Sequence, residues 1–180
     1  MSNAFACRGL RISVVAVLND TTGTLMSCAY RDPATRIGLI LGTGTNACYV
    51  ERVKNVEAVE EAGSGGCEEE EEGSMVVNTE WGAFGEAGEL DLLSTAWDKT
   101  LDAKTENPGQ QIFEKMVSGM YLGELVRIIL VDLVSRGLLL PGQEIVTLKL
   151  YRPGCFTTKH LCEVRIEKSK GKPYVKISYE

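Results

Sequence analysis

In residues 37–53, IGLILGTGTNACYVERV, an apolar run meets a glycine-rich turn and a second run leaves it. Ile37–Leu41 has the length and apolar character of a buried strand. Gly42-Thr43-Gly44-Thr45 then breaks the pattern, and Asn46–Val53 resumes it with β-branched and aromatic residues. The reading is a hairpin, with glycines where the turn calls for positive φ. Two readings of the turn stand side by side. It is a plain tight hairpin, or its successive N–H groups and threonine hydroxyls form a concavity for phosphate oxygens. No Lys-Ser/Thr pair follows, so it is not a Walker loop. The third glycine of a dinucleotide fingerprint is missing, and a strand follows instead of a helix.

Upstream, ISVVAVL (residues 12–18) is almost wholly apolar and reads as a strand buried on both faces. It ends on Asn19-Asp20, followed by Thr21, Thr22, Gly23 and Thr24. An aspartate there is either a helix N-cap or a carboxylate at the carboxyl end of a strand, where α/β proteins hold ligands. GTLMSCAY (residues 23–30) reads as a short helix, and RDPATR (residues 31–36) as a turn.

Downstream, residues 59–74 are Gly, Ser and Glu without periodicity, and read as a disordered surface loop. Met75–Asn78 is a short strand, and TEWGAFGEAGELD an irregular, glycine-rich turn. Glu80 beside Trp81 is either a surface acid next to a core aromatic or a carboxylate set to accept from hydroxyls. Asp91–Leu101 reads as a helix. Asn107-Pro108-Gly109 opens a long helical region over residues 110–139. Leu122, Leu125, Val126, Ile129, Leu133 and Val134 form its apolar stripe, with Glu124, Arg127 and Asp132 off it. Gly119 and Gly123 mark a break or a close helix contact. Glu114, among Ile112, Phe113 and Met116, is either solvent-facing or deliberately placed. Residues 144–150 alternate like a strand, and a helix start is expected at Thr157.

The balance of these elements is α/β. The net charge of -6 argues against binding nucleic acid by charge alone. Five of the 25 acids lie in the run Glu68–Glu72. Six scattered cysteines and a single histidine form no zinc spacing, and no metal site is expected in the chain. Scattered thiols suit a reducing, cytoplasmic setting. No apolar run is long enough to be expected to span a membrane.

Four motifs occur in order. They are Asn-Asp-Thr-x-Gly-Thr (19–24), Gly-Thr-Gly-x-Asn-Ala-Cys-Tyr (42–49), Asn-x-Glu-Trp-Gly-Ala-Phe-Gly (78–85) and Asn-Pro-Gly-x-Gln-x-Phe-Glu-Lys-Met (107–116). Together with SGMYLGELVRIILVDL and GCFTTKHLCEV, they resemble the hexokinase family, including glucokinase, from about Arg8 to Val164.

The resemblance implies an actin-like ATPase, ribonuclease H-like fold. Residues 1–164 would be a partial large domain, residues 62–74 a loop within it, and residues 165–180 a divergent tail. It implies transfer of a phosphoryl group from ATP, with Mg2+ carried by the nucleotide, to the 6-hydroxyl of glucose, the first step of glycolysis. By the same resemblance Asp20 is the catalytic base. Asn19, Asn46, Glu80 and Glu114 hold sugar hydroxyls. Gly42, Thr43, Gly44, Thr158 and Lys159 lie at the nucleotide. Cys162 stands where the family often has serine. The family's Asp-x-Gly-Gly-Thr hairpin, its Lys-Gly-Phe sugar region and its adenosine segment have no counterpart here. The alternative expectation is a non-catalytic relative that binds sugar or associates with a full-length hexokinase chain.

Overall fold

The computed structural model describes residues 16–57, 73–142 and 149–169. The chain forms two compact units. One comprises residues 1–39 and 47–79, the other residues 40–46 and 80–180.

In the first unit, helix α1 (Asp20–Ala29) lies against a sheet formed by β1 (Ile37–Leu41), β2 (Thr45–Arg52) and β3 (Ser74–Asn78) in that order. Strands β2 and β3 are antiparallel, with Cys48 opposite Asn78 and Arg52 opposite Ser74. Leu25 and Thr21 of α1 and Cys48 of β2 are buried. Gly38 makes this packing possible. A Cβ there would stand 2.8 Å from the Thr21 carbonyl oxygen and 2.9 Å from Leu25 Cβ. Helix and strand therefore approach more closely than any side chain would permit.

The helix begins earlier than expected, and Asn19 caps it. Its Oδ1 accepts from the Thr21 N–H at 2.9 Å. Asp20 is the first helical residue and is exposed. The strand expected over residues 12–18 lies outside the described residues up to Val15. Ala16–Leu18 are not paired in a strand, and Val17 and Leu18 are 73% and 56% exposed. A strand buried on both faces needs cover on both, and nothing described supplies it for these two side chains. The glutamate-rich loop and the run 143–148 also fall outside the described residues.

The second unit is helical. Helices α2 (Ala96–Asp102), α3 (Ile112–Val117), α4 (Gly119–Ser135) and α5 (Thr158–Ser169) follow the hairpin tip. Helix α2 starts five residues later than expected. Thr95 and Asp98 close a capping box there, each side chain bonding the other's backbone N–H. Leu92 and Leu93, expected inside a helix, are exposed turn residues. The long helical region is broken at Ser118, whose extended backbone (φ -84°, ψ 154°) separates α3 from α4. Lys149–Tyr151 is a 3-10 turn where a strand end was expected.

The stripe on α4 is displaced from expectation: its buried residues are Gly123, Arg127, Ile128 and Val134, while Leu122, Leu125, Val126, Ile129 and Leu133 are half-buried. Arg127, expected on the outer face, is only 4% exposed. Its guanidinium forks onto Glu124 at 2.6 and 2.8 Å, and its third nitrogen donates to the Leu150 carbonyl at 3.0 Å. A buried guanidinium is tolerable when its donors are met in this way. Gly154 N–H also donates to Glu124. Burial by itself would raise the Glu124 carboxyl. The Arg127 bond and the Gly154 N–H outweigh that and hold it below its ordinary 4.5. A depressed carboxyl stabilises the fold above its unfolded pKa, and that stability disappears as pH falls through the folded value. Acid unfolding below pH 4.5 will therefore be less steep in Glu124→Gln than in the parent. Equilibrium denaturation at a series of acidic pH values measures the difference.

Candidate active site

The site is assembled around the tip of the hairpin in the second unit. Two adjacent residues of β2 each engage a carboxylate from elsewhere in the chain. The Thr45 N–H donates to Glu114 Oε2 at 2.9 Å, and Asn46 Nδ2 donates to Glu80 Oε1 at 3.1 Å. Glu80 and Glu114 are 34 residues apart in sequence and are drawn to neighbouring positions by neighbouring partners. Trp81 fixes the intervening wall. Its Nε1–H donates to Thr45 Oγ1 at 3.0 Å, and its ring meets Phe113 edge-on with centroids 5.6 Å apart. Thr45 in turn donates to the Ile40 carbonyl at 3.0 Å, so the indole, the hydroxyl and the hairpin form one chain of hydrogen bonds.

Glu80 and Gln111 both have left-handed backbones, at φ 48° and 53°. Each such non-glycine residue costs about 1–3 kcal/mol, and the surroundings must enforce it. Here they do. Gln111 N–H donates to Glu86 Oε1 at 2.7 Å and Phe113 N–H to the Phe84 carbonyl at 3.0 Å. These bonds join the start of α3, which carries Glu114, to the loop that carries Glu80. Gly82 leaves room for the junction, since a Cβ there would fall 2.5 Å from Gln111 Oε1.

The hairpin turn differs from expectation in two ways. Neither Gly42 nor Gly44 has positive φ. At Gly44 the Glu114 carboxylate lies where a side chain would stand, so a larger residue there would have to displace it from the Thr45 N–H. Nor are all the turn's amides open. Gly42 N–H donates to the Gly44 carbonyl, and Thr45 N–H is taken by Glu114. The turn also gives two carbonyls to α4. Gly119 N–H donates to Gly42 O at 2.7 Å and Met120 N–H to Thr43 O at 3.1 Å. Thus the hairpin tip caps the first turn of α4, satisfying donors that a helix otherwise leaves unmet.

Thr158 Oγ1 bonds the first turn of α4, while Lys159 is 83% exposed with a 3.8 Å pairing to Glu163. Asn19 and Asp20 lie in the first unit, on the exposed end of α1. Lys115 escaped the sequence reading. It is 3% exposed and donates to Asp102 Oδ1 and to the Asn107 carbonyl, both at 2.7 Å. Asp102 also accepts from Gly109 N–H, so one buried ammonium holds the Asn107-Pro108-Gly109 turn just ahead of α3. A lysine one residue after an acid in an amphipathic segment is ordinarily read as surface, and nothing local marks this one otherwise. Among the described residues no cluster of three His, Cys, Asp or Glu side chains is placed to hold a metal. Among the same residues no helix is long and apolar enough to cross a membrane.

Carboxylates and an amide converging beside an indole form the kind of acceptor-rich surface that suits a ligand rich in hydroxyls. Comparison with known proteins gives this arrangement its class. Family models described as hexokinase match residues 36–178 and residues 1–30. Hexokinase-2 of Equus caballus is 52% identical over 153 residues, which is 85% of this chain and 16% of that protein. Hexokinase-3 of Homo sapiens is 51% identical over 157 residues, 87% of this chain and 16% of that protein. A solved hexokinase from Schistosoma mansoni complexed with glucose aligns with a TM-score of 0.75 at 41% identity, over 98% of this chain and 40% of that one. The fold is that of part of an α/β hexokinase domain. The chain belongs to the hexokinase family, and it spans about a sixth of the length of the curated relatives it matches.

Proposed function

We propose that this chain takes part in ATP-dependent phosphorylation of a hexose at its 6-hydroxyl, with glucose the first sugar to test. The observation that carries the reading is the pairing of Asn46 with Glu80 and of Thr45 with Glu114 at one hairpin tip. Phosphoryl transfer asks little covalent chemistry of a protein. It asks for alignment of the hydroxyl and for stabilisation of charge. In this reading Asn19, Asn46, Glu80 and Glu114 grip sugar hydroxyls, each through groups that accept from O–H. Asp20 accepts the proton of the attacking 6-hydroxyl as the new P–O bond forms, while the bond from the γ-phosphorus to the bridging oxygen breaks and ADP leaves with its electron pair. It is the exposed first residue of α1, and among the described residues its carboxylate is bonded locally, to Thr21. Gly42, Thr43 and Gly44, with Thr158 and Lys159, belong at the nucleotide, which brings Mg2+ as part of the substrate. The cytoplasm is the compartment this reading supplies.

Asp20→Asn tests it. The substitution keeps size and hydrogen bonding and removes the base. Formation of glucose 6-phosphate by the full chain with Mg-ATP and glucose is expected to fall by roughly 10²–10⁴-fold. A second reading, sugar binding without turnover, rests on the acceptor-rich hairpin tip alone, which needs no nucleotide to hold hydroxyls. It predicts no product from the parent chain and glucose binding by calorimetry that Glu114→Gln weakens. Turnover that survives Asp20→Asn unchanged would remove Asp20 from the reaction.

A further inference from the structure

Thr158 stands in an unusual position relative to α4. Its hydroxyl donates to the Gly119 carbonyl at 2.5 Å and accepts from the Gly123 N–H at 3.1 Å. Those are the two backbone groups, four residues apart, that an α-helix ordinarily joins to each other. Close approach is required for this. A Cβ on Gly123 would lie 2.5 Å from the Thr157 carbonyl carbon and from the Thr158 nitrogen, so helix backbone meets segment backbone directly. The segment bearing Thr158 is itself held. Phe156 is buried and stacks on His160 at 5.2 Å, and His160 Nδ1 accepts from Thr157 N–H at 3.0 Å.

A hydroxyl has one proton. That of Thr158 goes to Gly119. Phosphate oxygens are acceptors, so in this conformation Thr158 has no proton to offer one. Gly119 meanwhile donates its own N–H to Gly42, the first residue of the hairpin turn. We infer that Thr158 is a positioning residue: its hydroxyl locks the first turn of α4 to α5 and, through Gly119, holds the Gly42–Thr43 turn in place. Lys159, the next residue, carries an exposed ammonium with donors to give a phosphate oxygen. The inference rests on the proposed reading of Gly42–Gly44 as the phosphate turn.

Amide hydrogen exchange in the full chain, free of sugar and nucleotide, tests it without needing turnover. Thr158→Val keeps the shape and removes the hydroxyl. The Gly123 amide is expected to exchange roughly five- to tenfold faster, with smaller gains at Gly119 and Met120, and Thr158→Ser is expected to restore all three. Unchanged exchange in a folded Thr158→Val chain would overturn the inference. Should that variant fail to fold, the parent chain decides. Protection of Gly123 and Gly119 that persists at saturating Mg-ATP supports positioning. Loss of that protection on nucleotide binding would mean the hydroxyl has turned to the phosphate, and would overturn it. Failure of the kinase reading shows elsewhere, as absent turnover with exchange still sensitive to Thr158.

Discussion

Gly123→Ala is expected to destabilise the second unit by about 3 kcal/mol, and more if α5 cannot shift. Two effects oppose each other. Alanine in a helix interior is favoured over glycine by up to about 1 kcal/mol. Against that, the new methyl would stand 2.5 Å from backbone atoms of Thr157 and Thr158, where no flexible side-chain end can give way. The backbones must separate, and separation breaks both Thr158 bonds to α4, each worth about 1 kcal/mol. The clash therefore wins over helix propensity. Equilibrium urea denaturation should show the midpoint fall with the slope retained. A midpoint equal to or above the parent's would mean the helices separate without loss and the contact is incidental.

Lys115→Met is expected to cost about 3–5 kcal/mol, the range for breaking a buried ion pair from one side. The loss comes less from the attraction removed than from what remains. Asp102, with 23% of its side chain exposed, would keep its charge with only the Gly109 N–H to meet it. The Asn107 carbonyl would lose its donor as well. Adding Asp102→Asn removes the stranded charge and leaves an oxygen for Gly109, so the double variant should recover much of the loss. Calorimetric melting of the single and double variants separates these contributions. Additive losses would show that the two side chains are not coupled. A sugar-binding defect in the single variant beyond its loss of stability would follow from Glu114 being the preceding residue.

Neither of these effects can be found by scanning the chain for motifs. Lys115 reads as an exposed lysine, because burial of a charge depends on partners 8 and 13 residues away closing around it. Arg127 misleads in the same way. Its place off the apolar stripe predicts solvent, but Glu124 and the carbonyl of Leu150 meet its donors inside. The capping box at Thr95 and Asp98 was, by contrast, visible as Thr-x-x-Asp and would have placed the start of α2 correctly.

Local pattern by itself determined the pairing of runs about the turn at residues 42–45 and the short strand near residue 76, and it marked the second half as helical without fixing where α2 begins or where α3 gives way to α4. The four motifs, being long and in order, determined the family. Tertiary structure alone decided that the Glu114 carboxylate lies against Gly44, that the turn caps α4 with carbonyls, and that Thr158 engages the α4 backbone. The physical reason is common to all three. Each depends on which donors and acceptors find each other across tens of residues, and buried backbone groups are rarely left without a partner. A one-dimensional pattern records that need but not the partner.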